Sequence, residues 1–318
     1  MSTDTLSGQV KKAAVIGAGT IGAGWAAAFV SRGLGVNVYD PRDDAEAYVR
    51  RYIDQAWPII SRLEGIDQDG RDKLTFCETV AEVVDGVDMV QESGPEDLPL
   101  KRALLEQIGG SLPGHAFVAS SSSGLLVSEM QAGLGFAERL VLGHPFNPPH
   151  LMPLVEVVGG KATDESVINR AIAFYRAIGK HPIRLNREVP GHIANRLAAA
   201  LWREAVYLAA EGVASVADID AAVRQGPGLR WACMGPHLTY HLGGGQGGLR
   251  HFIEHLGPAF ELWWADLGEP KLSAETVKTL CAGVEDEAAG RTLASLAAER
   301  DQALLAILEA RRRSETSR

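Results

Sequence analysis

Ala13-Ala14-Val15-Ile16-Gly17-Ala18-Gly19-Thr20-Ile21-Gly22 is the stretch on which the fold turns. Its first four residues are a short apolar run of the kind that forms a buried strand, and the small residues Ala23 to Ser31 read as a helix. A second strand, Val36-Asn37-Val38-Tyr39, follows and closes on Asp40. Three glycines alone would be a weak sign. Strand, Gly-x-Gly-x-x-Gly turn, helix, strand and closing acid together form the dinucleotide-binding fingerprint. Gly17 permits the tight turn, Gly19 lets the backbone approach a pyrophosphate, and Gly22 lets the helix pack closely on the strand. Ala18, Thr20 and Ile21 complete the expected cofactor-lining turn, with the helix N-terminus supplying oriented N–H groups for the anion. Asp40 can accept both ribose hydroxyls and would repel a 2′-phosphate, so NAD is expected as the cofactor despite Arg42 nearby.

Outward from this turn the pattern alternates. Asp43 to Leu63 reads as a charged helix, interrupted near Pro58. Strand-like pieces follow at Leu74–Phe76, Val87–Val90, Ala116–Ala119 and Leu140–Leu142, with helical stretches such as Leu98–Ile108 between them. This predicts an α/β fold: an N-terminal Rossmann-type doubly wound sheet whose ligands sit at the carboxyl ends of the strands. Arg184 to Gly191 looks like a boundary, and no strand-like run comes after it. The expected division is an NAD-binding domain over 1–187 and an all-helical substrate and dimerisation domain over 188–318.

Composition narrows the function classes. The chain has 318 residues, 46% hydrophobic and 22% charged, enough for two domains with cores of their own. A formal charge of −9 argues against a nucleic-acid or anionic-membrane partner, and no run is long enough to span a bilayer. Three scattered cysteines, with no metal spacing, fit free thiols in the cytoplasm. His251 and His255 stand four apart on a predicted helix but without a third ligand, so no metal is expected.

The chemistry concentrates in His144-Pro145-Phe146-Asn147-Pro148-Pro149 and Leu154-Val155-Glu156-Val157. The first segment reads as a short loop and the second as an apolar strand. A carboxylate inside an apolar strand needs a partner, and His144 is the nearest candidate. Bonded to one ring nitrogen, Glu156 would fix the tautomer of His144 and leave the other nitrogen free to take a proton. A Pro-rich turn with a core His and an edge-strand Glu is the plainer alternative.

With these motifs quoted, and with Ser120-Ser121-Ser122-Ser123, Val189-Pro190-Gly191-His192-Ile193-Ala194-Asn195-Arg196 and Met234-Gly235-Pro236, the chain resembles the 3-hydroxyacyl-CoA dehydrogenase superfamily over nearly its full length. The resemblance implies that His144 and Glu156 form the catalytic dyad and that Ser123 and Asn195 contact substrate. It also implies that Glu96 and Lys101 line the cofactor site and that the protein is a homodimer. Pro145 departs from the acyl-CoA enzymes, which usually have a second aromatic there. Gly226 to Pro236 and Thr239 to Gly245 resemble the small-substrate branch, whose members oxidise L-carnitine or L-gulonate or serve as lens crystallins. Arg230-Trp231 looks most like the carnitine-oxidising members. A quaternary ammonium offers no N–H, so aromatic faces are its natural receptor, and Phe146, Trp231 and Tyr240 are the candidates. A carboxylate would seek a guanidinium, which Arg230 offers. Three rival readings remain at this level: a 3-hydroxybutyryl-CoA dehydrogenase, an L-gulonate 3-dehydrogenase and a non-catalytic crystallin-like NAD-binding protein.

Overall fold

The computed structural model describes residues 10–66 and 70–316. The chain forms two compact units that divide after Asn195. The first contains, in chain order, β1 (Lys12–Ile16), α1 (Thr20–Val30), β2 (Gly35–Tyr39), α2 (Ala45–Glu64), β3 (Leu74–Phe76) and the single-turn α3 (Val80–Val83). It continues with β4 (Met89–Glu92), α4 (Leu98–Ser111), β5 (Phe117–Ser120), single-turn α5 (Val127–Met130), β6 (Leu140–Pro145), β7 (Leu154–Gly159), α6 (Glu165–Ala177) and β8 (His181–Arg184).

These strands make one sheet in the order β3-β2-β1-β4-β5-β6-β7-β8, parallel except where β7 runs against β6. The reversal of direction between β2 and β4 about β1 is the switch point of a doubly wound sheet, which opens a crevice at the strands' carboxyl ends. Both sheet faces are covered. Trp25, Phe29, Phe174 and Tyr175 pack on one side, and Val83, Leu105, Ile108 and Met130 on the other. Parallel strands buried on both faces read as continuous apolar runs, which is why they were visible in the sequence.

Two local expectations are corrected here. Pro58 does not interrupt its helix: α2 runs unbroken through it. Val49, Ile53, Ala56, Ile60 and Leu63 bury one face across both halves, while Pro58 lies exposed on the other, where water can take up the hydrogen bond that proline forfeits. His144 is not on a loop but inside β6, because the strand extends through Pro145 by pairing with β7. A strand ending at Leu142 was the reading of the apolar run alone. The structure also contains α6 and β8, beyond the elements expected from the sequence.

The second unit holds most of α7 (Ala194–Ala210), then α8 (Val216–Gln225), α9 (Pro227–Cys233), α10 (Pro236–Gly243), α11 (Gly248–Asp266), α12 (Ala274–Ala288) and α13 (Leu293–Thr316). The chain is therefore an α/β sheet unit followed by a helical one, as expected. Ser215 and Ser273 cap α8 and α12 by accepting hydrogen bonds from Asp218 and Thr276 N–H. Among its described residues, only Val206, Ala209, Ile219 and Leu305 are buried apolar side chains. No helix among the described residues is long and apolar enough to cross a membrane.

Candidate active site

The glycine turn has the geometry its sequence demands. Gly17 adopts φ +91°, and a Cβ there would stand 2.5 Å from the Ser93 carbonyl oxygen. At Gly22 a Cβ would fall 1.8 Å from the Gly17 oxygen, so only glycine lets α1 start this close to the turn. Gly19 differs. A Cβ there would meet nothing within 4 Å, which leaves the space over the turn open. Gly19 is the N-cap of α1 and brings no side chain to its first N–H groups, so they are available to an anion. Asp40, at the end of β2, accepts a 2.7 Å hydrogen bond from Ala18 N–H through Oδ2, while Oδ1 takes Arg42 N–H and Nε at 3.0 Å each. Thr20 Oγ1 lies 3.3 Å from the Tyr48 hydroxyl, and Ile21 packs on the core. An open turn, bare helix N–H groups and an acid at the next strand end fit a dinucleotide.

The two loops beside this turn are shaped by two carboxylates, Glu92 and Glu96, of which only Glu92 is buried. Glu92, fully buried, takes Lys101 Nζ at 2.8 and 3.0 Å, Ser120 Oγ at 2.6 Å and Gly94 N–H at 2.7 Å. Glu96 accepts from Ser122 Oγ at 2.6 Å and from the N–H groups of Gly124 and Leu125. Burial pushes the Glu96 carboxyl upward, but these bonds outweigh it and hold it below the ordinary range. Glu96 and Lys101 were both expected beside the cofactor. Here their charged groups order the loops after β4 and β5.

His144 and Glu156 face each other across the β6–β7 pair, directly opposed in register and therefore on one face of the sheet. His144 Nδ1 lies 2.9 Å from Glu156 Oε2, with Glu156 wholly buried. The other carboxylate oxygen accepts from Ile193 N–H at 2.8 Å and Ala194 N–H at 3.0 Å. Burial would raise the Glu156 carboxyl. The hydrogen bonds from His144, Ala194 and Ile193 overcome it and leave the carboxyl below its usual range. An ionised Glu156 can only accept, so Nδ1 of His144 is the donor and Nε2 is the acceptor of the neutral ring. Asn195 Nδ2 donates to the Ser123 carbonyl at 3.4 Å, bringing those two candidates together. Phe146 follows β6 directly and is half-buried.

The sequence alone gives His192 no role. Its ring centroid lies 5.0 Å from that of His144, and its Nε2 is 3.0 Å from the Ser122 carbonyl oxygen. The available signal is its place after Pro190-Gly191, a pair that marks a turn.

The candidates of the helical unit, Arg230, Trp231 and Tyr240, have different surroundings. Arg230 lines a cavity of about 510 Å³ with Leu229, Cys233, Met234, Thr239 and Leu242. Trp231, on the same helix α9, is exposed and is not among its walls. Tyr240, expected at an ammonium, is instead stacked on Phe252 at 4.8 Å and edge-on to Phe260 at 5.4 Å. Packing of α10 on α11 accounts for that ring. His251 and His255 approach to 4.0 Å, and among the described residues no group of three or more metal-ligating side chains gathers.

Comparisons with known proteins identify the family. The model of the 3-hydroxyacyl-CoA dehydrogenase NAD binding domain matches residues 12–189, and that of the C-terminal domain matches 191–283. The chain is 46% identical over 302 residues to an L-carnitine dehydrogenase of Streptomyces coelicolor, covering 95% of each. It is 42% identical over 309 residues to an L-carnitine dehydrogenase of Pseudomonas putida, covering 97% of this chain and 96% of the other. A solved NAD+-dependent 5-formyl-3-hydroxy-2-methylpyridine 4-carboxylic acid 5-dehydrogenase superimposes with TM-score 0.80 at 30% identity, covering 95% of this chain and all of that one. The chain belongs to the 3-hydroxyacyl-CoA dehydrogenase family, and it is an NAD-dependent oxidoreductase.

Proposed function

We propose that this protein oxidises the 3-hydroxyl of L-carnitine to 3-dehydrocarnitine, with His144 as general base and Glu156 as its partner. One observation carries the reaction: a fully buried carboxylate fixes Nδ1 of His144 and leaves Nε2 as the acceptor. The choice of substrate is supported by relatives 42–46% identical over most of the chain that are named L-carnitine dehydrogenase.

NAD+, when bound along Gly17–Gly22 with Asp40 at its ribose, supplies the hydride acceptor. His144 Nε2 takes the proton of the substrate hydroxyl. Glu156 holds the ring in place and stabilises the imidazolium that results, as its lowered pKa favours. Ile193 and Ala194 N–H keep the far oxygen of Glu156 occupied, so the carboxylate does not swing away from His144. Ser123 and Asn195 hold the substrate oxygen. Arg230 is the residue proposed for a carboxylate, and Phe146 and Trp231 are the aromatic faces proposed for an ammonium.

The active form in this reading is a cytoplasmic homodimer. Its support is the helical unit's apolar surface: Leu262, Trp263 and Trp264 on α11 are 72%, 56% and 65% exposed, a pattern that a second copy would cover.

The experiment is NADH formation by the purified protein with NAD+ and, separately, L-carnitine, D-carnitine, L-gulonate and 3-hydroxybutyryl-CoA. Turnover of L-carnitine alone is expected. Turnover of gulonate or the CoA ester in its place overturns the substrate and keeps the base. No turnover with NADH still bound leaves the crystallin-like alternative.

A further inference from the structure

The reaction above leaves one buried titratable side chain beside the dyad without a task. His192 is 2% exposed and sits in the turn between β8 and α7 at φ +53°, in the left-handed region that histidine enters at some strain. The Ser122 carbonyl can only accept, so the hydrogen of their 3.0 Å bond belongs to His192 Nε2. Nδ1 is enclosed and has no hydrogen-bond partner among the described residues. The ring lies tilted by 51° against that of His144.

We propose that His192 is a positioning residue for the dyad, joining the serine loop to the turn that holds Glu156, and that it works only while its ring is neutral. The two residues after it, Ile193 and Ala194, donate the N–H groups that hold Glu156, so the His192 backbone and the Glu156 carboxylate move together. Its ring pins the Ser122 carbonyl, one residue before Ser123, and Ser122 Oγ is in turn held by Glu96. A neutral ring with its hydrogen on Nε2 makes this link and places no charge beside His144, which must itself become cationic when it takes the substrate proton. Three titratable groups face the ring: His144 from β6, Glu156 from β7 and Glu96 from the loop after β4. Burial acts most strongly and keeps the ring neutral. His144 acts in the same direction, against the pull of the Ser122 bond and the two carboxylates.

The inference rests on the dyad reading and is independent of which hydroxy acid is oxidised. Two variants of the full-length protein test it, with NADH bound for spectroscopy and NAD+ plus substrate for kinetics. In His192→Gln, the side-chain amide can still donate to the Ser122 carbonyl but cannot titrate. Turnover near neutral pH should stay within about threefold of wild type. The acid limb of log kcat/KM should change from a limiting slope of two, where His144 and His192 must both be neutral, to a slope of one. In His192→Phe the donor is gone. kcat should fall about 10–100-fold with KM for NAD+ unchanged, and ¹⁵N-histidine spectra should show His144 losing its Nδ1–H tautomer.

A Phe variant with wild-type kcat and an unchanged His144 signal would overturn the proposal. So would a Gln variant as impaired as the Phe variant, with the slope of two retained. Should the Phe variant fail to fold, the slope and spectra of the Gln variant decide. If wild type turns over none of the hydroxy acids, the functional reading fails. The spectra of wild type and the variants still show whether His192 is the neutral Nε2–H form and whether it holds the tautomer of His144.

Discussion

In the sheet unit Trp25, Phe29 and Tyr175 are wholly buried, whereas in the helical unit Trp202, Trp263 and Trp264 each stand more than half exposed. The polar groups differ as well. Inside the sheet unit, Gln91 accepts from Tyr175 Oη at 2.7 Å and donates to Ser121 Oγ at 2.8 Å, and Trp25 Nε1 reaches the same Ser121 oxygen at 3.2 Å. Tyr175 there is held protonated far above its usual range by burial, against the pull of its bond to Gln91. A buried network with its bonds made rigidifies the strands that carry the proposed dyad, with Gln91 also reaching the carbonyl of Gly143 beside His144. Among its described residues the helical unit shows no comparable buried network. The sheet unit is complete as it stands, and the proposed second copy is what would complete the other.

The strongest attempt to break this division is His144→Ala. Turnover should fall by about 10²–10⁴ while NADH, titrated by fluorescence, binds as before; unchanged turnover would remove the chemistry from the sheet unit. Next in size is Trp264→Glu on α11. If a second copy covers that ring, the charge should weaken dimerisation by about 2 kcal/mol, roughly 30-fold, as read by light scattering across a dilution series. A dimer unmoved by the change would mean that α11 faces solvent. Tyr240→Leu probes whether the ring packs or binds. Loss of the Phe252 stack should lower stability by about 0.5–1.5 kcal/mol with KM for L-carnitine unaltered, whereas a rise in KM at constant stability would return Tyr240 to the ammonium.

The mildest effect concerns acid. Glu96, Glu156 and His192 all lie in the sheet unit, and all three have lowered pKa values. For each, the unfolded chain binds its proton at a higher pH than the folded one does. Their stabilisation is therefore full above about 6.5, the unfolded value for histidine. It declines first as His192 charges, and again below the ordinary glutamate value of 4.5. Hydrogen exchange, corrected for intrinsic rate, should show β6 and β7 losing protection between pH 7 and 4 before α10 and α11 do. Equal loss in both units would contradict the assignment.

Legibility in the sequence followed how local the cause was. The glycine turn, its strands and Asp40 were readable because each residue acts within a few positions of its neighbours, and strands buried on both faces declare themselves as apolar runs. Pairing His144 with Glu156 was also readable, since a carboxylate in an apolar strand requires a partner. What escaped was the strand position of His144, which depends on β7 lying alongside. The partners of Lys101 and Glu96 escaped too, because they come from other elements: Glu92 at the end of β4 for one and the serine run after β5 for the other. Tyr240 could not be assigned from sequence, as the rings that meet it sit 12 and 20 residues away on another helix.

The amino-acid sequence by itself determined the doubly wound sheet, the dinucleotide turn, the preference for NAD and the His144–Glu156 pair. Periodicity, glycine freedom and the cost of an unpaired buried charge act residue by residue and leave their mark in one dimension. Only the tertiary structure decided that Ile193 and Ala194 hold Glu156, that Lys101 is enclosed against Glu92 and that His192 lies against His144. Those contacts join residues 9 to 48 positions apart and bring neighbouring segments against interior strands of the sheet. Their geometry exists once the strands are packed and not before.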